Sequence, residues 1–182
     1  ALSGKKVFIY SLLPFITMRC FEQIKINICS LKLPITIIGL GTGLSFSHYG
    51  PAGHGVIDIG LMRMLPEMQI LNPSDPVLAG KFANVAYRSK LPVYIRLNKG
   101  QDFSFYKKNL DITNGFEEVK KGKNICVITT GNIIKNIVNI QKKLLIKSKH
   151  IGVIDLYQIN PIKKAKLIKI LKNYSKILTI EE

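Results

Sequence analysis

The hydrophobic residues of the chain alternate between short apolar runs and amphipathic stretches. Apolar runs typical of buried strands cover residues 6–11, 35–38, 68–71, 92–97, 124–130, 151–157 and 176–180. Apolar residues recur at intervals of three and four in residues 15–31, 56–65, 77–87, 132–147 and 161–173, which favours helices. This alternation of strands and helices predicts an α/β fold with mostly parallel sheets and right-handed crossovers.

A stretch of weak periodicity divides this alternation into two parts. Residues 100–115, GQDFSFYKKNLDITNG, contain many turn-forming residues and no clear apolar face. We therefore expect two consecutive three-layer α/β units, residues 1–99 and 122–182, joined by a linker over residues 100–121. A chain of 182 residues is long enough for one ordinary domain or two small ones.

A glycine-rich segment follows the second predicted strand. Residues 39–55 read GLGTGLSFSHYGPAGHG and lead directly into a predicted helix. Glycine lets the backbone turn sharply and approach a ligand closely. Since α/β folds place ligand sites at crossovers of this kind, we expect the site here. His48, Tyr49 and His54 are the polar side chains that this segment would present.

The net charge of +16 raises the question of nucleic-acid binding. Residues 1–91 hold 9 basic and 4 acidic side chains, and residues 92–182 hold 18 and 7. The excess is mostly lysine spread over predicted helix faces, without an arginine cluster or interleaved aromatic residues. We therefore expect no nucleic-acid partner, and steep salt-dependent retention on DNA would support the opposite interpretation.

Other features of the composition exclude further classes of protein. No apolar run approaches the roughly 18 residues that span a bilayer, so we expect no membrane partner. The three cysteines, Cys20, Cys29 and Cys126, show no metal-type spacing. Their odd number is typical of buried thiols in a reducing cytoplasm, and we expect no metal site in this chain.

The segment GPAGHGVIDIGLMRMLPEMQILNPSDP is similar to the pyrimidine-binding domain of transketolase-like, thiamine-diphosphate-dependent enzymes. In that family a Gly-Pro-Thr-His stretch precedes an acidic helix, an Arg-x-Leu-Pro and a Pro-x-Asp. Matching residues stand at corresponding intervals here: Gly50-Pro51, Asp58, Arg63, Leu65-Pro66 and Pro73-Ser74-Asp75. The second unit resembles the start of the transketolase C-terminal domain, with Thr129-Thr130-Gly131 in place of an Ala-Thr-Gly turn.

This resemblance covers nearly all of the chain and implies its fold and cofactor. It implies a thiamine-diphosphate-binding fold followed by a transketolase C-terminal-like domain, both incomplete. The cofactor would be thiamine diphosphate, with Mg²⁺ held by a partner domain that is not in this chain. That partner would be the diphosphate-binding N-terminal domain or subunit of a transketolase.

The resemblance also implies roles for individual residues. Phe15 and Phe21 would lie against the aminopyrimidine ring, although aromatic residues at helical spacing also serve as core anchors. The family histidine falls on Gly53, so the catalytic role in proton transfer is expected of His54, a residue type that titrates near neutrality. Substrate binding is expected of His48 and of Lys99, which matches a basic residue that binds substrate phosphate.

Departures from the family pattern limit what the chain would do by itself. No acidic residue precedes Glu22, so the activating glutamate is missing, as is the Gly-Asp-Gly motif that binds diphosphate and magnesium. We expect a fragment or one part of a split, cytoplasmic, homo-oligomeric enzyme that transfers a two-carbon ketol unit between sugar phosphates and is inactive alone. Alternatives are a non-catalytic oligomerisation or regulatory module, or a relative of deoxyxylulose-phosphate synthase or of the 2-oxo acid dehydrogenase beta chain.

Overall fold

A computed structural model of the protein describes residues 1–100 and 104–182. The strands are β1 Val7–Leu12, β2 Ile35–Leu40, β3 Gln69–Leu71, β4 Val93–Leu97, β5 Glu117–Lys120, β6 Ile125–Thr129, β7 Gly152–Asp155, β8 Gln158–Asn160 and β9 Lys176–Ile180. The helices are α1 Leu13–Ile16, α2 Phe21–Gln23, α3 Asp58–Arg63, α4 Pro76–Arg88, α5 Ile134–Ile146 and α6 Lys164–Leu171. These elements confirm the predicted α/β fold.

The first sheet has the order β1-β2-β4-β3-β8. Strands β1, β2, β4 and β3 pair in parallel, because helical crossovers connect them. Successive residues of β3 and β4 point to opposite faces, and both faces are covered by apolar side chains. One face packs against Ile16, Ile24, Ile37, Met62 and Met68, and the other against Leu78, Phe82 and Tyr157. The first unit is therefore a three-layer structure.

The second sheet has the order β5-β7-β6-β9. Strand β6 pairs in parallel with β7 and β9, whereas β5 runs antiparallel to β7 at one edge. The sequence EEVK of β5 lies inside the segment predicted as a linker over residues 100–121. The hydrophobic pattern did not predict β5, because most of its side chains are charged and an edge strand does not need an apolar run.

Strand β8 connects the two units. It follows β7 in the chain, yet it pairs antiparallel with β3 at the edge of the first sheet. The Asn160 side chain donates a hydrogen bond to the Met68 carbonyl over 2.6 Å. The predicted strand over residues 151–157 is thus shorter than expected, and the chain crosses back to the first sheet directly afterwards.

The long helix predicted over residues 15–31 is interrupted. Helix α1 ends at Ile16, and the Thr17 hydroxyl donates to the Leu13 carbonyl over 2.7 Å. Such side-chain hydrogen bonds compete with the helical ladder and favour a helix end. The helix resumes as α2 and widens into a π-helix over Ile24–Cys29. Over residues 1–100 and 104–182, every helix is too short or too polar to span a bilayer.

Candidate functional site

The glycine loop, residues 39–55, lies at the carboxyl edge of the first sheet. It leaves the end of β2 beside the end of β4, and the Gly41 amide donates to the Leu97 carbonyl over 2.8 Å. Side chains and backbone groups at this edge of a parallel sheet face the crevice in which α/β proteins bind ligands. The glycine pattern therefore predicted a loop that lies at the carboxyl edge of the first sheet.

Two glycines close the loop at its base. The amides of Gly43 and Gly55 each donate to the carbonyl of the other, over 2.9 and 2.8 Å. A Cβ on Gly55 would lie 2.7 Å from the Gly41 carbonyl oxygen, which only glycine avoids. Above this bridge, a 3₁₀ turn spans Ser47–Gly53 and contains Gly50 with a φ of 64°. No heavy atom lies within 4 Å of a Cβ built on Gly50, so its backbone is accessible.

A buried ion pair supports the loop from below. The Arg96 guanidinium donates through Nε to Asp58 Oδ2 over 2.9 Å and through Nη2 to the Gly55 carbonyl over 2.9 Å. The Tyr94 hydroxyl donates to the same Asp58 oxygen over 2.7 Å. Burial, and then the negative charge of Asp58, raise the pKa of Tyr94 well above its usual value. The ion pair therefore fixes the peptide that follows His54.

His54 occupies the end of the 3₁₀ turn. Its side chain is half-buried, and its amide donates to the Pro51 carbonyl over 3.3 Å. Because Gly55 is held by both Gly43 and Arg96, the backbone at His54 has a defined position. The imidazole can take or give a proton at a site that is neither fully buried nor fully solvated.

Phe46 brings two of the predicted substrate-binding residues together. Its ring centroid lies 6.1 Å from that of His48 and 5.4 Å from the Lys99 ammonium nitrogen. His48 also lies against Tyr49, with ring centroids 4.1 Å apart. His48, Tyr49 and Lys99 are all exposed, so they form a surface rim rather than the floor of a cavity. This rim presents a cation, an imidazole and a phenol to an approaching anion.

The two predicted ring-binding phenylalanines have different surroundings. Phe15, on α1, is half-buried and has the Arg19 guanidinium 4.0 Å above its ring centroid. Phe21, on α2, packs against the core that contains Ile16 and Ile24. The helix is broken between α1 and α2. Helical spacing therefore does not place Phe15 and Phe21 on one shared helix face.

Sequence reasoning missed several residues of this region. Phe46, at the centre of the rim, carried no motif signal. The ion pair of Arg96 with Asp58, at the start of α3, was not predicted. The sequence signal for this ion pair was Arg96 itself, a charged residue inside the apolar strand VYIRL. A buried arginine needs a carboxylate partner.

A second polar cluster lies where the two units meet. Asp155 Oδ2, at the end of β7, accepts hydrogen bonds from the Ser74 hydroxyl over 2.5 Å and from the Tyr106 hydroxyl over 2.9 Å. Burial raises the pKa of Asp155 to about 7, an effect that these two hydrogen bonds oppose and the charges of Asp75 and Glu117 increase. This junction cluster has no cation among its described partners.

Two family models match the chain in succession. The model described as "Transketolase, pyrimidine binding domain" matches residues 1–102. The model described as "Transketolase, C-terminal domain" matches residues 115–182. Neither model matches residues 103–114, which lie between the two matches.

Curated relatives agree with these matches. A subunit of the apulose-4-phosphate transketolase of Actinobacillus succinogenes is 28% identical over 100% of this chain and 59% of its own length. A 1-deoxy-D-xylulose-5-phosphate synthase of Malacoplasma penetrans is 28% identical over 100% of this chain and 29% of its own length. The chain thus spans little more than half of the apulose-4-phosphate transketolase subunit.

Among solved structures, one described as a split-gene transketolase, an inactive beta4 tetramer, superimposes with a TM-score of 0.90. It is 26% identical, and the match covers 100% of this chain and 59% of that chain. A transketolase from Campylobacter jejuni has a TM-score of 0.82 and 15% identity, with coverage of 96% of this chain and 28% of its own. The latter likeness concerns the fold alone.

Proposed function

The chain belongs to the transketolase family, and we propose that it forms part of an enzyme that transfers a two-carbon ketol unit between sugars using thiamine diphosphate. The observation that carries this proposal is the succession of pyrimidine-binding and C-terminal domain matches, with the glycine loop at the carboxyl edge of the first sheet. The similarity to a transketolase subunit over the whole of this chain supports it.

We propose that this chain contacts the ring end of thiamine diphosphate. An accessible glycine backbone at Gly50 and a half-buried aromatic ring at Phe15 are features that a flat heterocycle can contact. In the described part of the chain, no group of three His, Cys, Asp or Glu side chains could hold a metal ion. In this proposal, a partner domain holds Mg²⁺ and the diphosphate.

Thiamine diphosphate, when bound, supplies the electron sink for cleavage of a ketose. The residues of this chain would position the groups around it. Phe15 and Phe21 would contact the aminopyrimidine ring, although the packing of Phe21 favours a core role. His54 would accept or return the proton of a substrate hydroxyl at an imidazole nitrogen. Lys99 would bind the substrate phosphate as a point charge, with His48 beside it at the rim.

The partner in this proposal is a chain or domain that carries the diphosphate-binding site. The second wall of the cofactor site has to come from there, so the chain by itself would be inactive. We also propose that the enzyme is a cytoplasmic homo-oligomer, and light scattering of the assembled enzyme can test its oligomeric state. An assembled enzyme that contains a single copy of this chain would contradict this part of the proposal.

A second function is favoured by the relatives. Two synthases of 1-deoxy-D-xylulose 5-phosphate are 26% and 28% identical to this chain, and both matches cover 100% of it. A synthase of that kind would take a 2-oxo acid as donor instead of a ketose phosphate. Donor choice therefore separates the two functions within the same fold. A third candidate, a non-catalytic module, would use neither donor.

The test is reconstitution of the chain with a partner that carries the diphosphate-binding domain. We expect cofactor-dependent ketol transfer from a ketose phosphate to an aldose phosphate, and none by either chain alone. His54→Ala should lower kcat while Ala52→Ser, on the same turn, should leave it unchanged. Turnover of pyruvate instead of a ketose phosphate would support the synthase. Cofactor binding without turnover of either donor would support the non-catalytic module.

A further inference from the structure

The carboxyl edges of the two sheets meet at the glycine loop. Strand β9 ends at Ile180, and the following residues, Glu181 and Glu182, extend beyond the second sheet. Glu182 Oε2 accepts a hydrogen bond from the Thr42 hydroxyl over 2.8 Å. The two residues are 140 positions apart in the chain, so this contact links the second unit directly to the loop.

The loop partner in this contact is buried. Thr42 is only 2% exposed, and Glu182 is the acceptor of its hydroxyl proton. A buried hydroxyl without an acceptor is unfavourable, because it has lost its hydrogen bond to water. The loop conformation seen here therefore depends on a carboxylate supplied by the other unit.

The glutamate also packs against the backbone of the loop. Gly43 has a φ of 57°, and a Cβ on this residue would lie 3.1 Å from the Glu182 Cβ and 3.4 Å from its Cδ. Gly43 is one half of the bridge to Gly55 that closes the loop. Arg96 holds the Gly55 side of that bridge from below, and Glu182 holds the Gly43 side from the second unit.

We propose that Glu182 is a positioning residue that fixes the base of the glycine loop, and thereby the peptide at His54, from the second unit. The proposal gives the C-terminal domain a part in shaping the site on the first domain. It rests on the proposed function only in so far as the loop faces the substrate. The mechanical link between Glu182 and the loop can be tested without any activity.

The first test is amide hydrogen exchange in the free chain. In Glu182→Ala, the Gly43 and Gly55 amides should exchange about tenfold faster than in the parent, since their bridge opens locally more often. Glu182→Gln should stay within about twofold of the parent, because an amide oxygen still accepts from Thr42. Unchanged exchange in Glu182→Ala, or equal acceleration in the glutamine variant, would overturn the proposal.

Two further variants guard against trivial explanations. Glu181→Ala is the matched control. Glu181 lines a cavity of about 250 Å³ with Thr130 and Thr179, and no residue of the glycine loop lines that cavity. Its removal should therefore leave the exchange at Gly43 unchanged. Thr42→Val removes the same hydrogen bond from the loop side. Combined with Glu182→Ala, it should add no further acceleration. Additive acceleration would mean that the two residues act independently and would contradict the link.

The second test uses the enzyme reconstituted with its partner chain. Glu182→Ala should raise KM for the sugar phosphate or lower kcat several-fold, and Glu182→Gln should restore most of the loss. A reconstituted parent without turnover would contradict the proposed function and leave the exchange result standing. Normal exchange in Glu182→Ala together with an active parent would contradict the positioning role alone.

Discussion

Two buried aspartates in this protein have opposite surroundings. Asp58, beneath the glycine loop, is 1% exposed and pairs with the Arg96 guanidinium. Asp155, at the junction of the two units, is fully buried and accepts hydrogen bonds from the hydroxyls of Ser74 and Tyr106. The comparison shows two ways of keeping a carboxyl group inside a fold: a neighbouring cation, or a proton retained because burial raises the pKa.

The stability of the fold is expected to respond to different changes at these two aspartates. Below the loop, stability depends on an intact charge pair, and removing one member leaves the other charge unpaired in the interior. At the junction, stability depends on pH, because ionising Asp155 places a charge where no described cation lies. The loop base is therefore expected to respond most to substitution of a partner, and the junction to a change of pH.

Breaking the charge pair should have the largest effect. Arg96→Met keeps the apolar stem and removes the guanidinium, and should lower the free energy of unfolding by about 3–5 kcal/mol. Denaturant unfolding measures this change. Lys99→Met, which removes an exposed positive charge beyond the end of the same strand, should change stability by less than about 0.5 kcal/mol. Equal effects of the two substitutions would mean that the ion pair does not support the fold.

Changing the pH tests the junction. The pKa of Asp155 is raised from its usual 3.8 to about 7 in the folded protein, so between these values the folded state holds a proton that the unfolded chain has released. The free energy of unfolding should therefore fall as pH rises from about 4 to about 7, by up to about 1.4 kcal/mol per pH unit, and then level off.

Substitution assigns this slope to one residue. In Asp155→Asn, denaturant unfolding measured across the same pH range should show a flatter profile. Asp111→Asn is the control, because Asp111 is exposed and hydrogen bonds from Thr113 lower its pKa instead. A decline that persists in Asp155→Asn would show that another group causes it.

Two glycine substitutions compare close packing at the junction with an open helix surface on the first unit. Gly131 has a φ of 70°, and a Cβ there would lie 2.8 Å from the Asn72 side chain. Gly131→Ala should therefore destabilise the protein by about 1–3 kcal/mol. Gly80→Ala, on α4, meets no atom within 4 Å and should stabilise by about 0.5–1 kcal/mol. Thermal unfolding distinguishes the two, and a stabilised Gly131→Ala would contradict close packing at the junction.

The rim of the loop should show the smallest effect, confined to substrate binding. In the reconstituted enzyme, Lys99→Met should raise KM for a sugar phosphate about tenfold, equivalent to about 1.4 kcal/mol. Lys90→Met removes a lysine at the other end of β4 and should leave KM unchanged. Steady-state kinetics at fixed ionic strength compare them. Equal changes would indicate a general charge effect instead of a phosphate site.

Most of the fold could be predicted from the sequence because parallel strands are buried on both faces and leave apolar runs. The core strands β2 and β4 are examples. Strands β5 and β8 could not be predicted, since an edge strand needs neither an apolar run nor alternation. The interruption near Thr17 was missed because the apolar spacing continues through it.

The site could be predicted only in part. The glycine pattern predicted the position of the loop. Lys99, which follows β4, was predicted to bind substrate and lies beside the loop residue Phe46. The contacts that fix the loop join residues far apart in the chain: Arg96 with Asp58, and Glu182 with Thr42. No local pattern records such pairings, because they depend on how the two sheets meet. Phe46 was missed for the same reason.

Isothermal titration of thiamine diphosphate and Mg²⁺ into the chain, into a partner carrying the diphosphate-binding domain, and into their mixture tests the central claim most directly. The account predicts saturable, Mg²⁺-dependent binding by the mixture and much weaker binding by either component. Binding by the mixture that is no tighter than binding by the partner alone would contradict the claim that this chain forms one wall of the cofactor site.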